Sequence, residues 1–366
     1  MRQRDWRACG AFLIAAAILP PAADPAAGGP RPPAVAAVDA AGRIVELDRV
    51  PRRLLVVGDG AFMLAHLLCS FPEGRERMIG MERKGATTST FLPLVDPEHG
   101  RKVALDPNPG PEQIVEHHPD LVLSRGSIED RASRALAEVG IPVAFLGLES
   151  PERYLADLEV LGRLLDRPER AEAVASYYRS RLEAVAGPLA GLAGGDRPRV
   201  LLAMAMARGG RVAVQVPARS WMQTQIVERA GAIPVWLDDA EVHAGWTVVT
   251  IEQIARWNPD WILIVFWHAM DPDASLDELR SDRHWSALAA VRSGRLRAFP
   301  ADLYGWDTPD PRWILGLQWT AATLHPGLFP DYDPDAEIDR FFGELYGLGP
   351  AAIASSIRPA IRMGLR

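Results

Sequence analysis

Short apolar runs alternate with amphipathic stretches along the first half of the chain. The apolar runs predict four buried strands, at residues 53–57, 78–81, 120–124 and 143–146. Apolar positions at three- and four-residue steps predict four helices, at residues 61–70, 111–117, 130–139 and 151–166. A turn signal at 39–42 lies between two further apolar stretches and predicts a hairpin. This alternation is typical of a parallel sheet with helices on both faces.

The same alternation begins again after a long helical segment. The segment starts near Pro168, and its apolar positions recur at three- and four-residue steps towards Val185. About twenty helical residues span about 30 Å, which is enough to join two lobes. Strands are predicted beyond it at residues 199–204, 212–216, 260–266 and 296–299. Helices are predicted at residues 220–230, 250–257, 284–292, 311–324 and 334–346.

One short motif occurs in each half of the chain. Glu112-Gln-Ile is followed by Pro-Asp at 119–120 and an apolar run, and Glu252-Gln-Ile is followed by Pro-Asp at 259–260 and an apolar run. The spacing from Glu to Pro is identical in the two copies. Each copy predicts a short helix, a turn in which Pro stops the helix, and a buried strand. The repeat therefore indicates two similar lobes with a cleft between them.

The N-terminus differs in composition from the rest of the chain. Three arginines come before an uncharged run at residues 8–19, which ends in Pro-Pro-Ala-Ala. This layout is typical of a secretory signal peptide, and the run is too short to span a bilayer as a helix, which takes about 20 residues. We expect residues 1–23 to be removed on export and residues 24–34 to form a disordered leader.

Composition and charge limit the classes of partner. Hydrophobic residues make up 48% of the chain and charged residues 24%, as in ordinary globular proteins. The formal net charge is −7, and it becomes −9 when three arginines and one aspartate leave with residues 1–23. A net acidic chain without a basic run argues against nucleic-acid binding. Cys9 would also leave, so Cys69 has no partner for an internal disulfide and is expected to be a buried small hydrophobe.

These features together resemble the periplasmic-binding family for ferric siderophores, cobalamin and haem. The resemblance rests on the hairpin turn at 39–43, the run at 51–57, the two Glu-Gln-Ile motifs and the helix after Pro168. It implies an α/β fold of two Rossmann-like lobes with mainly parallel sheets, joined by a single long helix, with the ligand cleft between the lobes. The implied parts are an N-terminal lobe at 35–166, the interlobe helix at 167–193 and a C-terminal lobe at 194–348. The tail at 349–366 has no strong periodicity, and we expect it to be loosely attached.

The resemblance also implies a function. The protein would be a periplasmic, monomeric solute-binding component of an ABC importer, and its partner would be the permease dimer of the inner membrane. It would have no intrinsic cofactor, and its ligand would be a metal chelate carrying iron or cobalt. By their place in the two motifs, Glu112 and Glu252 correspond to the glutamates that dock in arginine pockets of the permease. Helix capping is the alternative role for both, because a carboxylate is favourable near a helix N-terminus.

Aromatic residues are the main candidates for ligand contact. Ten tryptophans follow the signal segment, and all of them lie at or after Trp221. An aromatic wall gives rigid contact area to a corrin, a haem or a catechol-type chelate. Expected ligand contacts, placed in loops or at strand ends, are Trp221, Trp246, Trp267, His268, Tyr304 and Trp306. Tryptophans in helix or strand patterns are expected in the core, namely Trp257, Trp261, Trp313 and Trp319.

Polar candidates come from the first lobe and from one histidine. Asp59 and Arg125 follow predicted strands, so both are expected at the cleft, where Arg125 would neutralise an anionic chelate. Arg83 and Lys84 lie in a polar loop that is expected at its rim. No His-x-x-x-His or Cys-x-x-Cys pattern predicts a bare metal site, but His268 is a candidate axial ligand to a chelated metal.

The sequence is compatible with more than one ligand and more than one class of function. A ferric siderophore is the first expectation, with a corrinoid or a haem as alternatives on the same scaffold. An exported enzyme acting on a chelate is the rival class, although the chain has neither a Gly-x-Ser-x-Gly elbow nor a P-loop pattern. A sensory or structural protein on the same scaffold is the third possibility.

Overall fold

The computed structural model describes residues 33–83, 90–125, 130–208, 211–239, 245–266 and 270–362. The expected signal peptide and nearly all of the expected leader therefore lie outside the described residues. No helix in the described part is long and apolar enough to cross a membrane.

The strands form a hairpin and two separate sheets. The antiparallel hairpin pairs β1 (Val35–Val38) with β2 (Ile44–Leu47). The first sheet contains β3 (Leu54–Gly58), β4 (Met78–Glu82), β5 (Val103–Leu105), β6 (Leu121–Arg125) and β7 (Val143–Leu146). The second sheet contains β8 (Arg199–Arg208), β9 (Arg211–Val216), β10 (Ile233–Pro234), β11 (Thr247–Val249), β12 (Trp261–Phe266) and β13 (Leu296–Ala298). We call the part of the chain around each sheet a lobe.

The two sheets have related topologies. The first is entirely parallel, in the order β5-β4-β3-β6-β7. The second has the order β11-β9-β8-β12-β13, in which β12 is parallel to β8 and β13, while β9 is antiparallel to β8 and β11. The central strands β3, β6, β8 and β12 are almost continuously apolar because helices cover both faces. The predicted α/β fold with two mainly parallel sheets is confirmed.

Helices pack on both sheets. In the first lobe they are α1 (Ala61–Leu68), α2 (Pro72–Arg77), α3 (Leu92–Val95), α4 (Pro111–Glu116), α5 (Asp130–Glu138) and α6 (Pro151–Leu165). The long helix that follows is α7 (Pro168–Leu189). In the second lobe they are α8 (Met222–Arg229), α9 (Ile251–Trp257), α10 (Pro272–Ser281), α11 (Ala289–Arg292), α12 (Trp313–Leu324), α13 (Pro334–Tyr346) and α14 (Pro350–Ala352).

The duplicated motif folds in the same way in both lobes. Its glutamine side chain caps the helix start, since the Gln113 amide oxygen accepts from the Gly110 N–H at 3.2 Å and the Gln253 amide oxygen accepts from the Thr250 N–H at 2.8 Å. The isoleucine of each copy is fully buried, whereas the glutamate is exposed in the first turn. The sequence repeat is therefore a structural repeat.

An arginine at the start of the central strand of each lobe completes the repeat. The guanidinium of Arg53 donates to the carbonyl oxygen of His117 at 2.8 Å, and that of Arg199 donates to the carbonyl oxygen of Trp257 at 2.9 Å. Both acceptors are carbonyls at the end of a motif helix, where cations are favourable. The aspartate N–H of each Pro-Asp turn donates back to the carbonyl oxygen of the same arginine, at 2.8 and 2.7 Å.

The long helix α7 contacts both lobes, as its predicted role requires. The guanidinium of Arg170 donates to the carbonyl oxygens of Ser70 in the first lobe, at 2.8 Å, and of Leu345 in the second, at 2.7 Å. Further along, the buried hydroxyl of Tyr178 donates to the carbonyl oxygen of Pro311 at 2.8 Å, and its ring stacks on Trp313. These contacts on two sides fix the lobes to one rigid element.

Some local expectations differ from the structure. The helix expected at 284–292 begins only at Ala289, because the Asp282 carboxylate accepts from the N–H groups of His284 and Trp285 and stabilises a turn there instead. Helix α10 was absent from the prediction, although the Asp271-Pro272 start is a helix signal. Cys69 is buried as predicted. Trp257, Trp313 and Trp319 are also buried, whereas Trp261 is half-buried.

The C-terminal segment differs from the loose tail that was expected. Ile353 and Ile357 lie in a π-helical turn and are fully buried in the hydrophobic core. The Arg358 guanidinium forms ion pairs with Asp335 at 2.6 Å and with Asp339 at 2.8 Å on α13. Up to Arg362, the last described residue, this segment is a packed part of the second lobe.

Candidate ligand-binding site

A cavity of roughly 340 Å³ lies where the strands of the two sheets end. The first lobe contributes Asp59 after β3 and Arg125 at the end of β6, and the second contributes Phe266 at the end of β12 and Ala301 beyond β13. Ligands of open α/β sheets bind outside the carboxyl ends of the strands. The size is within the range of about 300–1,000 Å³ that is common for ligand pockets.

Arg125 is held at the cavity by two partners. Its Nη1 donates to the carbonyl oxygen of Asp59 at 2.7 Å, and its Nη2 forms an ion pair with Glu149. The chain passes close to this arginine at Gly58 and Gly60, which have positive φ values of 96° and 71°. A Cβ at Gly58 would lie 2.2 Å from the carbonyl oxygen of Arg125, so this close approach of two backbone segments requires glycine. Burial raises the pKa of Glu149, and the Arg125 guanidinium opposes this shift. While Glu149 is ionised, its pair with Arg125 leaves little free positive charge for a ligand.

Two tryptophans form an aromatic wall of the cavity. Trp221, before α8, and Trp246, before β11, both line it and are half-buried. Their rings meet edge to face with centroids 5.4 Å apart. Tyr304 lines the cavity as well and packs edge to face on Phe62 of α1, with centroids 4.7 Å apart. The expected placement of these three aromatic residues at the cleft agrees with the structure.

Trp306 lies elsewhere than expected. Its side chain is fully buried, and its Nε1 donates to the Asp302 carboxylate at 3.1 Å. Its backbone packs tightly on α12, where a Cβ at Gly316 would lie 2.3 Å from the Trp306 carbonyl oxygen. The ring is therefore a core side chain and is not available for ligand contact in this structure.

The remaining predicted residues fall into two groups. Trp267, His268 and Lys84 lie outside the described residues. Arg83 is exposed and lines a second cavity, of roughly 250 Å³, that it shares with Asp59. In this second cavity the Glu82 carboxylate accepts from the N–H groups of Gly58 and Asn108. Each of its two oxygens therefore already has a backbone donor.

Two polar side chains of the main cavity were missed by sequence reasoning. Asp307 and Gln223 both line it and are buried, and the Gln223 amide nitrogen donates to an Asp307 carboxylate oxygen at 3.1 Å. The second carboxylate oxygen of Asp307 and the amide oxygen of Gln223 have no hydrogen-bond partner among the described residues. Burial raises the pKa of Asp307 to about 6. Buried acceptors without a protein partner can accept a hydrogen bond from a ligand or a water molecule.

Glu149 and Arg362 also line the cavity, and neither was expected there. Glu149 follows β7 as Arg125 ends β6, so the strand-end rule that found Arg125 was sufficient to find it. Arg362 comes from the C-terminal segment, for which the sequence has no comparable signal.

A buried ionic network lies beside the cavity and connects the lobes. His66 of α1 pairs with the carboxylate of Asp310, whose other oxygen accepts from the Arg312 Nε at 2.6 Å. Arg312 also pairs with Asp302, and the side chains of all four residues are fully buried. Burial lowers the pKa of His66, and the Arg312 and His66 partners hold the pKa of Asp310 well below its usual range. Asp302 also lines the cavity, and its negative charge is paired with Arg312 of this network.

The charge balance of the cavity wall is acidic. Carboxylates of Asp59, Glu149, Asp302 and Asp307 line it, against the guanidinium groups of Arg125 and Arg362. Pairing of Asp302 with Arg312 and of Glu149 with Arg125 leaves the wall between neutral and negative. No group of three or more His, Cys, Asp or Glu side chains that would hold a metal ion occurs in the described part of the chain.

Sequence comparison gives two matches. A family model described as periplasmic binding protein matches residues 86–303. The molybdate-binding protein MolA of Haemophilus influenzae is 28% identical over 122 residues, which cover 33% of this chain and 33% of that protein. The match thus spans about a third of the length of that curated relative.

Solved structures share the two-lobed fold. A periplasmic solute binding protein from Veillonella parvula has a TM-score of 0.71 at 20% identity, over 88% of this chain and 96% of that chain. MolA bound to molybdate has a TM-score of 0.68 at 17% identity, over 86% and 98%. CeuE of Helicobacter pylori with Ni(II) bound has a TM-score of 0.67 at 16% identity, over 88% and 99%. MolA and CeuE therefore share the fold while their bound ligands, molybdate and Ni(II), differ.

Proposed function

Because this chain belongs to the periplasmic binding protein family, we propose that it is the solute-binding component of an ABC importer. It captures a metal chelate in the cavity between its lobes and delivers it to the permease. One observation carries the proposal. Strand ends from two equivalent lobes converge on a cavity with an aromatic wall, Trp221, Trp246 and Tyr304, and this suits binding of a large rigid molecule.

The wall charge favours a neutral or cationic chelate. Arg125, the cation expected to neutralise an anionic ligand, is paired with Glu149. A multiply charged anion would meet the buried Asp307 carboxylate, and among the described lining residues only the Arg362 guanidinium, which forms no ion pair there, could offset its charge. Like charges at short distance cost several kcal/mol in a partly buried site. We therefore propose a ferric siderophore of low net charge, such as a trihydroxamate, rather than a tricatecholate or an oxyanion such as molybdate.

A corrinoid is the second candidate, and the tryptophan pair favours it. Trp221 and Trp246 offer two indole surfaces at one wall, and a flat macrocycle gains contact area against such surfaces at little entropic cost. Cobalamins also carry no large negative charge and so fit the acidic wall. Haem is less suited because its two propionates would face the same carboxylates.

Delivery to the permease uses the repeated motif. Glu112 and Glu252 are exposed at equivalent positions of α4 and α9, in the first turn of each helix. Two carboxylates on equivalent units suit two equivalent arginine pockets, because Arg–carboxylate pairing is bidentate and fixes orientation. In this proposal the protein works in the periplasm as a monomer and performs no chemistry on its ligand.

Ligand identity is tested by isolating the protein with its cargo. Protein purified from its own periplasm is analysed by native mass spectrometry and by elemental analysis for iron and cobalt. Binding of a ferric trihydroxamate, a cobalamin, a ferric tricatecholate and molybdate is then titrated. We expect the first or the second to bind at micromolar concentration or tighter, and the anions to bind at least about tenfold more weakly. Preference for an anion overturns the charge argument, and binding of none overturns the chelate proposal.

A further inference from the structure

The end of the described chain forms one side of the cavity. Pro359, Ala360 and Arg362 line it. Arg362 exchanges two backbone hydrogen bonds with Ala301, another lining residue, at 2.7 and 3.1 Å. Since Ala301 follows β13, the segment continues the second lobe at its strand ends.

This side of the cavity is held firmly in place. Ile353 and Ile357 bury their side chains in the core, and Arg358 pairs with two carboxylates of α13. Anchors on both sides of residues 359–360 leave the segment little freedom to swing away. It is therefore a fixed wall of the second lobe rather than a lid.

Arg362 differs from the other guanidinium of the cavity. Arg125 is buried and paired with Glu149, whereas Arg362 is exposed and forms no ion pair within the described residues. An exposed guanidinium with five N–H donors is suited to oxygen acceptors on a ligand. In an otherwise neutral-to-negative wall, it is the cation that remains for a bound molecule.

We infer that residues 359–362 are part of the ligand-binding site and that Arg362 contacts the bound molecule. The ligand presents an oxygen-bearing face, such as the carbonyl or hydroxamate oxygens of a chelate, to this guanidinium, while its apolar part packs on the tryptophan wall. The inference rests on the proposed function for the chemistry of the ligand, but the position of Arg362 in the cavity is testable without any ligand.

The ligand-free test uses a nitroxide label, which quenches nearby tryptophan fluorescence. Arg362→Cys is labelled in a Cys9→Ser background, and Arg340→Cys on α13 is the matched control. Cys69 stays unlabelled, because burial raises the pKa of its thiol to about 12. We expect stronger quenching by the label at 362 than at 340, and loss of the difference in a Trp221→Phe, Trp246→Phe variant. Equal quenching at the two sites overturns the placement.

The ligand test measures binding of the ferric trihydroxamate and the cobalamin. Arg362→Glu should weaken binding of the compound that the wild type binds by about tenfold or more, because the donors and the positive charge are lost. Arg362→Lys keeps the charge but loses the forked donor, so its affinity should lie between the two. Arg340→Glu, which breaks only an exposed pair with Glu337, should leave affinity unchanged. Unchanged affinity in Arg362→Glu overturns the contact. If the wild type binds neither compound, the proposed function fails. The quenching result then still tests whether Arg362 lies in the cavity wall.

Discussion

The indole rings of Trp221 and Trp246 meet edge to face, with their centroids 5.4 Å apart and their planes inclined by 76°. The two residues precede different elements of the second lobe, α8 and β11, and lie 25 positions apart in the sequence. Edge-to-face pairs hold each other in a fixed orientation. Each ring is thus preorganised by the other before a ligand arrives.

Removal of either ring should weaken ligand binding. We expect Trp221→Ala and Trp246→Ala each to reduce affinity for the bound chelate by about tenfold, because truncation removes both contact area and the support of the partner ring. The double variant should lose less than the product of the single losses. Titration calorimetry measures the effect, with Trp285→Phe, a buried site away from the cavity, as control. Full affinity in both single variants would count against the aromatic wall.

Loss of the docking carboxylates should separate transport from binding. In Glu112→Ala with Glu252→Ala, we expect uptake by cells to be abolished and chelate affinity to remain nearly unchanged, since both side chains are exposed and do not line the cavity. Glu116→Ala with Glu228→Ala serves as a control of equal charge. A collapse of ligand affinity in the docking variant would show that these glutamates have a different role.

Asp307 should make stability depend on pH between about 4 and 6. Burial raises its pKa to about 6, so the folded state holds this proton more tightly than the unfolded chain. Its contribution is present below the unfolded value near 3.8 and is lost as pH rises to about 6. Asn does not titrate, so Asp307→Asn should remove this pH-dependent loss of stability. Because one pKa unit corresponds to about 1.4 kcal/mol, we expect the variant to gain on the order of 1–3 kcal/mol relative to wild type at pH 7 and little at pH 4.

Urea unfolding of both proteins across this pH range measures the difference. Asn keeps an oxygen that accepts from the Gln223 amide, so the hydrogen bond at 3.1 Å need not be lost. A stability difference that does not change with pH would mean that Asp307 titrates at its ordinary value.

The network between His66 and Arg312 should be costly to break. Asp310→Ala leaves the fully buried Arg312 with Asp302 as its remaining carboxylate partner and removes the partner of His66. Loss of one member of a buried ion pair typically costs about 3–5 kcal/mol. We expect a loss of this size in the free energy of unfolding, measured by denaturant titration. Asp335→Ala, whose pair with Arg358 is largely exposed, should cost less than about 1 kcal/mol. Similar losses in the two variants would contradict this account.

Local patterns were sufficient for the elements with strong periodicity. The strand at 143–146 was predicted with the bounds that the structure has, and the two Glu-Gln-Ile motifs predicted equivalent helix–turn–strand units. These features depend on neighbours within one helix or one strand. The expected helix at 284–292 was wrong at its start because the Asp282 side chain competes for backbone N–H groups, an effect that apolar spacing does not report.

The cavity residues divide in the same way. Asp59, Arg125 and Tyr304 end or follow strands and Trp221 begins a helix, so their sequence position placed them at the cleft. Trp246 was placed there by its position six residues before the second Glu-Gln-Ile motif. Trp306 has the same kind of position, yet it is buried, because Asp302 and Gly316 provide a hydrogen bond and a close fit for it in the core. Which way a loop side chain turns depends on the fold of the loop around it, which apolar spacing does not report.

The sequence by itself determined two lobes, their alternating strands and helices, and the exposed glutamates of the repeat. The strands and helices depend on short-range periodicity, and the lobes and glutamates follow from the Glu-to-Pro spacing that occurs in both halves of the chain. Only the tertiary structure decided which charges remain available in the cavity. Arg125 meets Glu149 because the ends of two neighbouring strands converge, and Arg312 meets Asp302 because the connection from β13 to α12 folds back on itself. Arg362 reaches the cavity because residues 349–362 fold back onto the second lobe. Ion pairs and cavity walls arise from contacts across long sequence distances, which no local pattern encodes.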